Sequence, residues 1–387
     1  MYRRFRGRAA ARGQARYIAT HWAARGHTLP RMSTLDDAYQ RLHATGPEWG
    51  GNLSNHGPMA AEVLSRRGHG ADVPTWVDAY VKRLDDLPAA REPITDAAWS
   101  QALGDGTRIG DWTAYLAAQT RDRPWRDVLV TWWPRLLPGI AAGATHGVIR
   151  TGHAVRTLLG VGAAPTLGEA SSNGAADESD AARAELGYAL GYWAARSTTV
   201  PGVRAPTGQL DPGAALDAVP HLPEQSGPIA GRLQRLGALG GWPESTAALR
   251  GVADPDEARN RIVELVDAAT LRYLRYGYGS PVLLVHTATA PNAVLHVLPA
   301  LPRDMWAGSL AAVWAASAAI TSGYAPTAAR DDRAPAPGSV EEVFEQAVAH
   351  GDEHVIKFAD TAVEVHGRTG NPDALAAAAH ARELLSR

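Results

Sequence analysis

Between Gly351 and Gly370 the sequence spells a helix of which much should be buried. Asp352 is a strong N-cap residue, Gly351 stops whatever precedes it, and Gly370 closes the far end. Val355, Ile356, Phe358, Ala359, Ala362 and Val363 surround the remaining positions, so other elements must pack round this helix. Two residues sit awkwardly in such a place. His354 and Lys357 stand at i and i+3, on one face and close enough to share a ligand. A desolvated ammonium is costly, so a buried lysine needs a reason.

Lys357 is one of only two lysines, the other being Lys82 among Arg83, Asp85 and Asp86; every other basic side chain is arginine. Where charge alone is needed this chain uses arginine. Lysine can shed its proton and act as an amine. An amine can also take up carbon dioxide and become a carbamate, an anionic oxygen ligand that would suit a metal beside an imidazole. A lysine snorkelling past a satisfied core histidine fits the same spacing, and both readings stand at this point.

The rest of the chain supplies the packing partners. Alanine and leucine recur at helical spacing, and alternation of the strand type is missing, so the fold class is all-α: a large multi-helix bundle. With 387 residues, 45% apolar and 20% charged, the chain is long enough for one large or two ordinary globular domains. We read residues 32–387 as one all-helical domain, with the Pro/Gly-rich stretch 199–228 as the best internal boundary. Residues 1–31, rich in arginine and without the apolar stretch of a secretion signal, read either as a solvated arm or as a start placed too early, with Met32 the natural beginning. The small, polar stretch 161–178 reads as a loop.

A net charge of −2 gives no argument for a nucleic-acid partner, and no apolar run is long enough to suggest a membrane span, so we expect a cytoplasmic protein. The absence of cysteine removes thiolate sites. Any metal must then be held by imidazole, carboxylate or a modified lysine, and fourteen histidines are available.

Three further histidines lie in helical contexts. His56 falls in the first turn of an apolar helix capped by Ser54 or Asn55. His286 falls in the middle of the apolar helix PVLLVHTATA. His146, Ile149, Arg150, His153 and Thr157 form one stripe, with His146 and His153 about 10 Å apart along the axis. Packing or capping roles fit each histidine as well as ligation does, and a structural ion pair fits Arg150 as well as an anion-binding role. Trp132, Trp133, Tyr192, Trp306 and Trp314 are candidates for a flat aromatic pocket or for ordinary core.

Taken in order, NHGP at 55–58, THGVIRTGH at 145–153, LVHTATAP at 284–291 and DEHVIK at 352–357 form a set that resembles the questin oxidase-like family, over residues 33–387. That resemblance implies a mononuclear non-haem Fe(2+) held by His56, His146, His286 and His354, with Lys357 carboxylated by carbon dioxide as the fifth ligand. His153 has no matching position; with Arg150 it is read as a catalytic, substrate-facing residue, and as the rival for a ligand place. The resemblance implies an iron-dependent oxygenase, a dioxygenase rather than a monooxygenase, that uses dioxygen to cleave or oxidise an aromatic polyketide of anthraquinone or hydroquinone type. A Baeyer–Villiger-type monooxygenase drawing electrons from NADPH is the alternative, although no GxGxxG follows a strand. A non-catalytic helical binder of aromatic metabolites is the third reading. A zinc hydrolase would need an open coordination position that so many protein ligands leave little room for.

Overall fold

Helix ends fall where their caps put them. The Asp352 carboxylate accepts the N–H groups of His354 and Val355 at 2.8 and 3.2 Å, and Ser339 accepts that of Glu342 at 3.2 Å. Gly351 and Gly370 adopt φ of 78° and 70°, the left-handed geometry that ends a helix. The computed structural model describes residues 33–51, 53–160, 178–331 and 335–386. The arm read at 1–31 and nearly all of the loop read at 161–178 lie outside the described residues.

The described chain is all-α. In order, the main helices are α1 (Thr34–His43), α2 (Gly57–Arg66), α3 (Val73–Tyr80), α4 (Ile109–Asp122), α5 (Trp125–Leu136), α6 (His146–Leu158), α7 (Asp180–Ala195), α8 (Pro255–Tyr276), α9 (His286–Val297), α10 (Trp306–Tyr324), α11 (Val340–His350), α12 (Glu353–Thr369) and α13 (Pro372–Leu385). Sequence reading missed one small feature, an antiparallel pair of two-residue strands, β1 (Glu48–Trp49) and β2 (Leu53–Ser54), just before α2. Stretch 199–228 is broken into short pieces as expected, with one helical turn-and-a-half at Pro212–Asp217.

Four helices build the centre. α6 packs against α9 and α7, α2 packs against α6 and α12, and α9 packs against α12. The α6–α9 contact is unusually close: a Cβ added to Gly152 would stand 2.6 to 2.7 Å from the backbone and Cβ of Ala293. Helix α12 is buried along most of its length, as its composition required. The helix read through PVLLVHTATA is instead broken. A four-residue turn, Pro281–Leu284, ends before Val285, and α9 starts afresh at His286.

The stretches Pro281–Ala300 and Arg303–Tyr324, with mean hydropathy of 1.3 and 1.2, are long and apolar enough to cross a membrane, each with 72% of its apolar stretch buried inside the protein. That corrects the expectation from run length. Burial inside the bundle accounts for their apolar character without a bilayer.

Candidate metal centre

Each of the four central helices delivers a histidine from its first residues. His56 is the N-cap of α2, His146 opens α6, His286 opens α9, and His354 is the second residue of α12. None is more than 8% exposed. The ring centroids of His56 and His146 are 4.3 Å apart, those of His146 and His286 4.4 Å, those of His56 and His354 4.5 Å, and those of His286 and His354 5.9 Å. Ligand atoms of His56, His146 and His354 all lie within 4.8 Å of one another. Lys357, one turn beyond His354, is 1% exposed, and its Nζ has no hydrogen-bond partner. Five residues separated by up to 301 positions in the sequence are thus gathered in one enclosed place.

The outer ring nitrogens face acceptors. His146 donates its Nδ1 proton to the Gly143 carbonyl, with Ser54 Oγ 3.0 Å away. His286 Nδ1 donates to the Ala144 carbonyl at 2.6 Å. A carbonyl can only accept, so both rings carry their proton on Nδ1 and present a lone pair at Nε2. His56 Nδ1 lies 3.7 Å from Glu353 Oε1, and His354 Nδ1 lies 3.4 Å from Asp352 Oδ1. Glu353 is in turn held by Arg83 at 2.8 Å. Carboxylates and carbonyls behind the rings are the usual arrangement that orients imidazoles toward a metal.

The inner nitrogens have no such partners. His56 Nε2 and His146 Nε2 are 2.6 Å apart, and two lone pairs cannot face each other at that distance without a proton or a cation between them. His286 Nε2, His354 Nε2 and Lys357 Nζ have no partner at all. Buried polar atoms are nearly always satisfied, so a cluster of orphans converging on one spot fits a bound cation.

Electrostatics favour uncharged donors. Burial pushes the pKa of His56, His146 and His286 well below 6.5, and the Lys357 charge and neighbouring rings push the same way. The partial positive charge of four helix N-termini adds to that effect. Burial also drives Lys357 down to about 7, with Glu353 and Asp352 opposing it. Near neutral pH His56, His146 and His286 are therefore neutral imidazoles, and the Lys357 amine has a large unprotonated fraction.

Residues 53–362, which make up 310 of the 387, match the family model described as questin oxidase-like. The chain belongs to the questin oxidase-like family. No curated protein matches it. Membership implies an oxidoreductase with a small-molecule substrate, and all five clustered residues fall within the matched span.

In this questin oxidase-like protein Arg150 and His153, read from the sequence as substrate-facing, are committed to carboxylates. The Arg150 fork binds Glu185 through two contacts of 2.6 and 2.8 Å, both side chains buried, and Glu185 also meets His43 Nε2 at 2.7 Å. His153 Nδ1 meets Glu62 at 2.8 Å, and Arg156 bonds the same carboxylate. The aromatic residues are mostly core. Trp132 packs edge-on against Trp99 and Trp112, Trp133 against Trp193, and the indole N–H groups of Trp306 and Trp314 bond Leu298 and Thr246 carbonyls. Tyr192 alone of that set reaches the centre, through a 2.6 Å bond to Ser54. A surface cleft of about 660 Å³ between α11 and α13 contains none of the five clustered residues.

The fold also holds a second polar tier that sequence reading missed. Ten residues beyond the four histidines stand Arg66, Arg156, His296 and Glu364. They meet: Glu364 lies 3.0 Å from Arg66, 3.2 Å from Arg156 and 3.0 Å from His296. Asp360, Glu62 and Asn292, six residues beyond their own histidines, complete it, with Arg156 to Asp360 at 2.7 Å and Asn292 to Glu364 at 2.8 Å. Contacts at both levels require α2, α6, α9 and α12 to run side by side in one direction. The levels are about 15 Å apart at a rise of about 1.5 Å per residue. The recurrence at ten residues lies just beyond the four motifs and becomes visible once their histidines are aligned.

Proposed function

We propose that the protein is a non-haem iron oxygenase that oxidises or cleaves an aromatic polyketide of anthraquinone or hydroquinone type with dioxygen. In this reading His56, His146, His286 and His354 would hold a ferrous ion, and Lys357 would hold it as its carbamate. The convergence of inward nitrogens without partners on a buried, partnerless amine is the observation that carries the reading. The donor set fits: imidazoles suit iron, and one anionic oxygen ligand offsets part of a divalent charge.

Bound iron would supply the activation of dioxygen that an organic substrate alone cannot achieve. The chain's residues prepare the place for it. The unprotonated Lys357 amine attacks the carbon of carbon dioxide and releases one proton, leaving the carbamate. The Gly143 and Ala144 carbonyls accept from the outer nitrogens of His146 and His286, and the Glu353 and Asp352 carboxylates stand 3.7 and 3.4 Å from those of His56 and His354. Burial excludes water, which protects the carbamate from reversal and reactive oxygen species from escape.

Metal analysis of protein purified without oxygen and supplied with Fe(2+) and bicarbonate is the direct test. About one equivalent of iron, and a carbamate carbon resonance from labelled bicarbonate, are expected. Lys357→Arg should lose both while keeping a positive charge. Less than about one-tenth equivalent of any transition metal in folded protein removes the reading. Oxygen uptake with a hydroxyanthraquinone then separates an oxygenase from a binding protein, and dependence of that uptake on NADPH would favour the monooxygenase form.

A further inference from the structure

His146 is preceded by an uncomfortable piece of backbone. Gly143, Ala144 and Thr145 take φ angles of 51°, 58° and 73° in succession, and Ala144 and Thr145 are the only non-glycine residues with positive φ among the described residues. Left-handed geometry crowds Cβ against the following carbonyl, and for a β-branched residue such as Thr145 it is a genuine outlier. Thr145 gains no capping bond in return. It is the N-cap of α6, yet its hydroxyl bonds no helix N–H and has no partner, in a residue 1% exposed. Strain of this kind persists where the surroundings over-determine it, and it collects at functional sites.

The turn's carbonyls explain what the strain secures. Gly143 presents its oxygen to Nδ1 of His146, and Ala144 presents its oxygen to Nδ1 of His286 at 2.6 Å, on a helix 142 residues away. Adjacent carbonyls of one turn therefore hold two of the four rings. Gly143 is required by space as well as by φ. A Cβ there would stand 2.3 Å from the Tyr192 hydroxyl, which bonds Ser54, which in turn lies 3.0 Å from His146 Nδ1.

We propose that the left-handed turn Gly143–Ala144–Thr145 is a positioning element, a carbonyl clamp that sets His146 and His286 with the proton on Nδ1 before any ligand arrives. An imidazole free in water prefers the opposite tautomer, so the clamp makes a choice that the rings would not make alone. Both inner nitrogens are left as lone pairs, ready for a cation. The metal-affinity part of the test below rests on the proposed function, and the tautomer part does not, so the two readings can fail separately.

The test uses the full chain, labelled with ¹⁵N-histidine and stripped of metal, in long-range proton–nitrogen correlation spectra above about pH 8, where the rings are neutral. His146→Gln and His286→Gln assign the signals. Both rings are expected to carry Nδ1–H in the unmutated protein. Ala144→Gly and Thr145→Gly relieve the crowding without disturbing the turn. They should keep both tautomers, bind Co²⁺ within about threefold of the unmutated protein, and melt at a higher temperature. Ala144→Val adds a second β-branched residue to the left-handed run, beside Thr145, and should open the turn. It should lose both Nδ1–H signals and bind Co²⁺ about 10- to 100-fold more weakly, with its helical circular dichroism intact. An Nε2–H signal from either ring in the unmutated protein overturns the proposal, whether or not the valine variant folds. Unchanged tautomers and affinity in a folded Ala144→Val also overturn it.

Discussion

Replacing Lys357 with methionine should make the metal-free protein more stable while abolishing its capacity to hold metal. The Lys357 amine is buried without a partner, and burial lowers its pKa from 10.5 to about 7. At about 1.36 kcal/mol per pH unit, that fall corresponds to about 5 kcal/mol of penalty when the amine is charged in both states. Near pH 7.5 the folded amine is mostly neutral and the unfolded one charged, so about 4 kcal/mol of the penalty is present. The sign follows from proton counts. Between about pH 7 and 10.5 the unfolded chain binds one more proton than the folded chain, so stability rises with pH by about 1.36 kcal/mol per unit. Methionine is similar in length, apolar and adaptable in a core, and it does not titrate. The variant should therefore be more stable by up to about 4 kcal/mol near pH 7.5, with the gap narrowing as pH rises toward 9. Urea unfolding followed by circular dichroism, on chelated protein in buffers free of carbon dioxide, measures the difference directly. Comparing the two proteins at each pH cancels the tyrosines, which titrate in both. Bicarbonate with a divalent metal should raise the wild-type midpoint and leave the variant's unchanged. A methionine variant less stable than wild type at about pH 7.5, or a gap that does not change with pH, would refute the reasoning.

The remaining predictions concern the rest of the core. Below pH 6.5 unfolded imidazoles take protons that His56, His146 and His286 refuse in the folded state. Metal-free protein should lose about 1.36 kcal/mol per pH unit for each ring there, and a flat stability profile down to about pH 5.5 would contradict the burial argument. Gly152→Ala should cost about 1–3 kcal/mol by forcing α6 from α9, and calorimetry with metal analysis should show iron retention falling alongside the melting temperature. Arg150→Met strands the buried Glu185 carboxylate and should destabilise by about 3–5 kcal/mol. Unchanged thermal stability with a raised KM for an aromatic substrate would instead put Arg150 at the substrate. Lys82→Arg, at an exposed position, should change stability by less than about 0.5 kcal/mol in the same melting experiment.

Much of the site was legible because its signals are local. Asp352, Gly351 and Gly370 announce α12, and a histidine and lysine three apart on an otherwise apolar helix announce something unusual inside it. The ordered motifs then pointed to His56, His146 and His286. Partnerships set by tertiary packing were not legible. Arg150 finds Glu185 on another helix, and His153 finds Glu62 from 91 residues away; neither carboxylate is marked by its neighbours in sequence. The break before His286 was hidden because Val285 continues an apolar run. The turn at Gly143–Thr145 was hidden because alanine and threonine normally disfavour the geometry they adopt there. Its strain is imposed from outside the segment, so no local propensity could announce it.

The ten-residue interval shared by α2, α6, α9 and α12 has a consequence for how this chain can vary. One residue inserted between 56 and 66, 146 and 156, 286 and 296, or 354 and 364 would rotate everything after it by about 100° and shift it by about 1.5 Å. Either the imidazole or its polar counterpart further down would then point the wrong way, and no adjustment of one helix could restore both. The connections between these helices can lengthen or shorten freely, whereas the spans themselves are fixed in length, like rods cut to a common gauge.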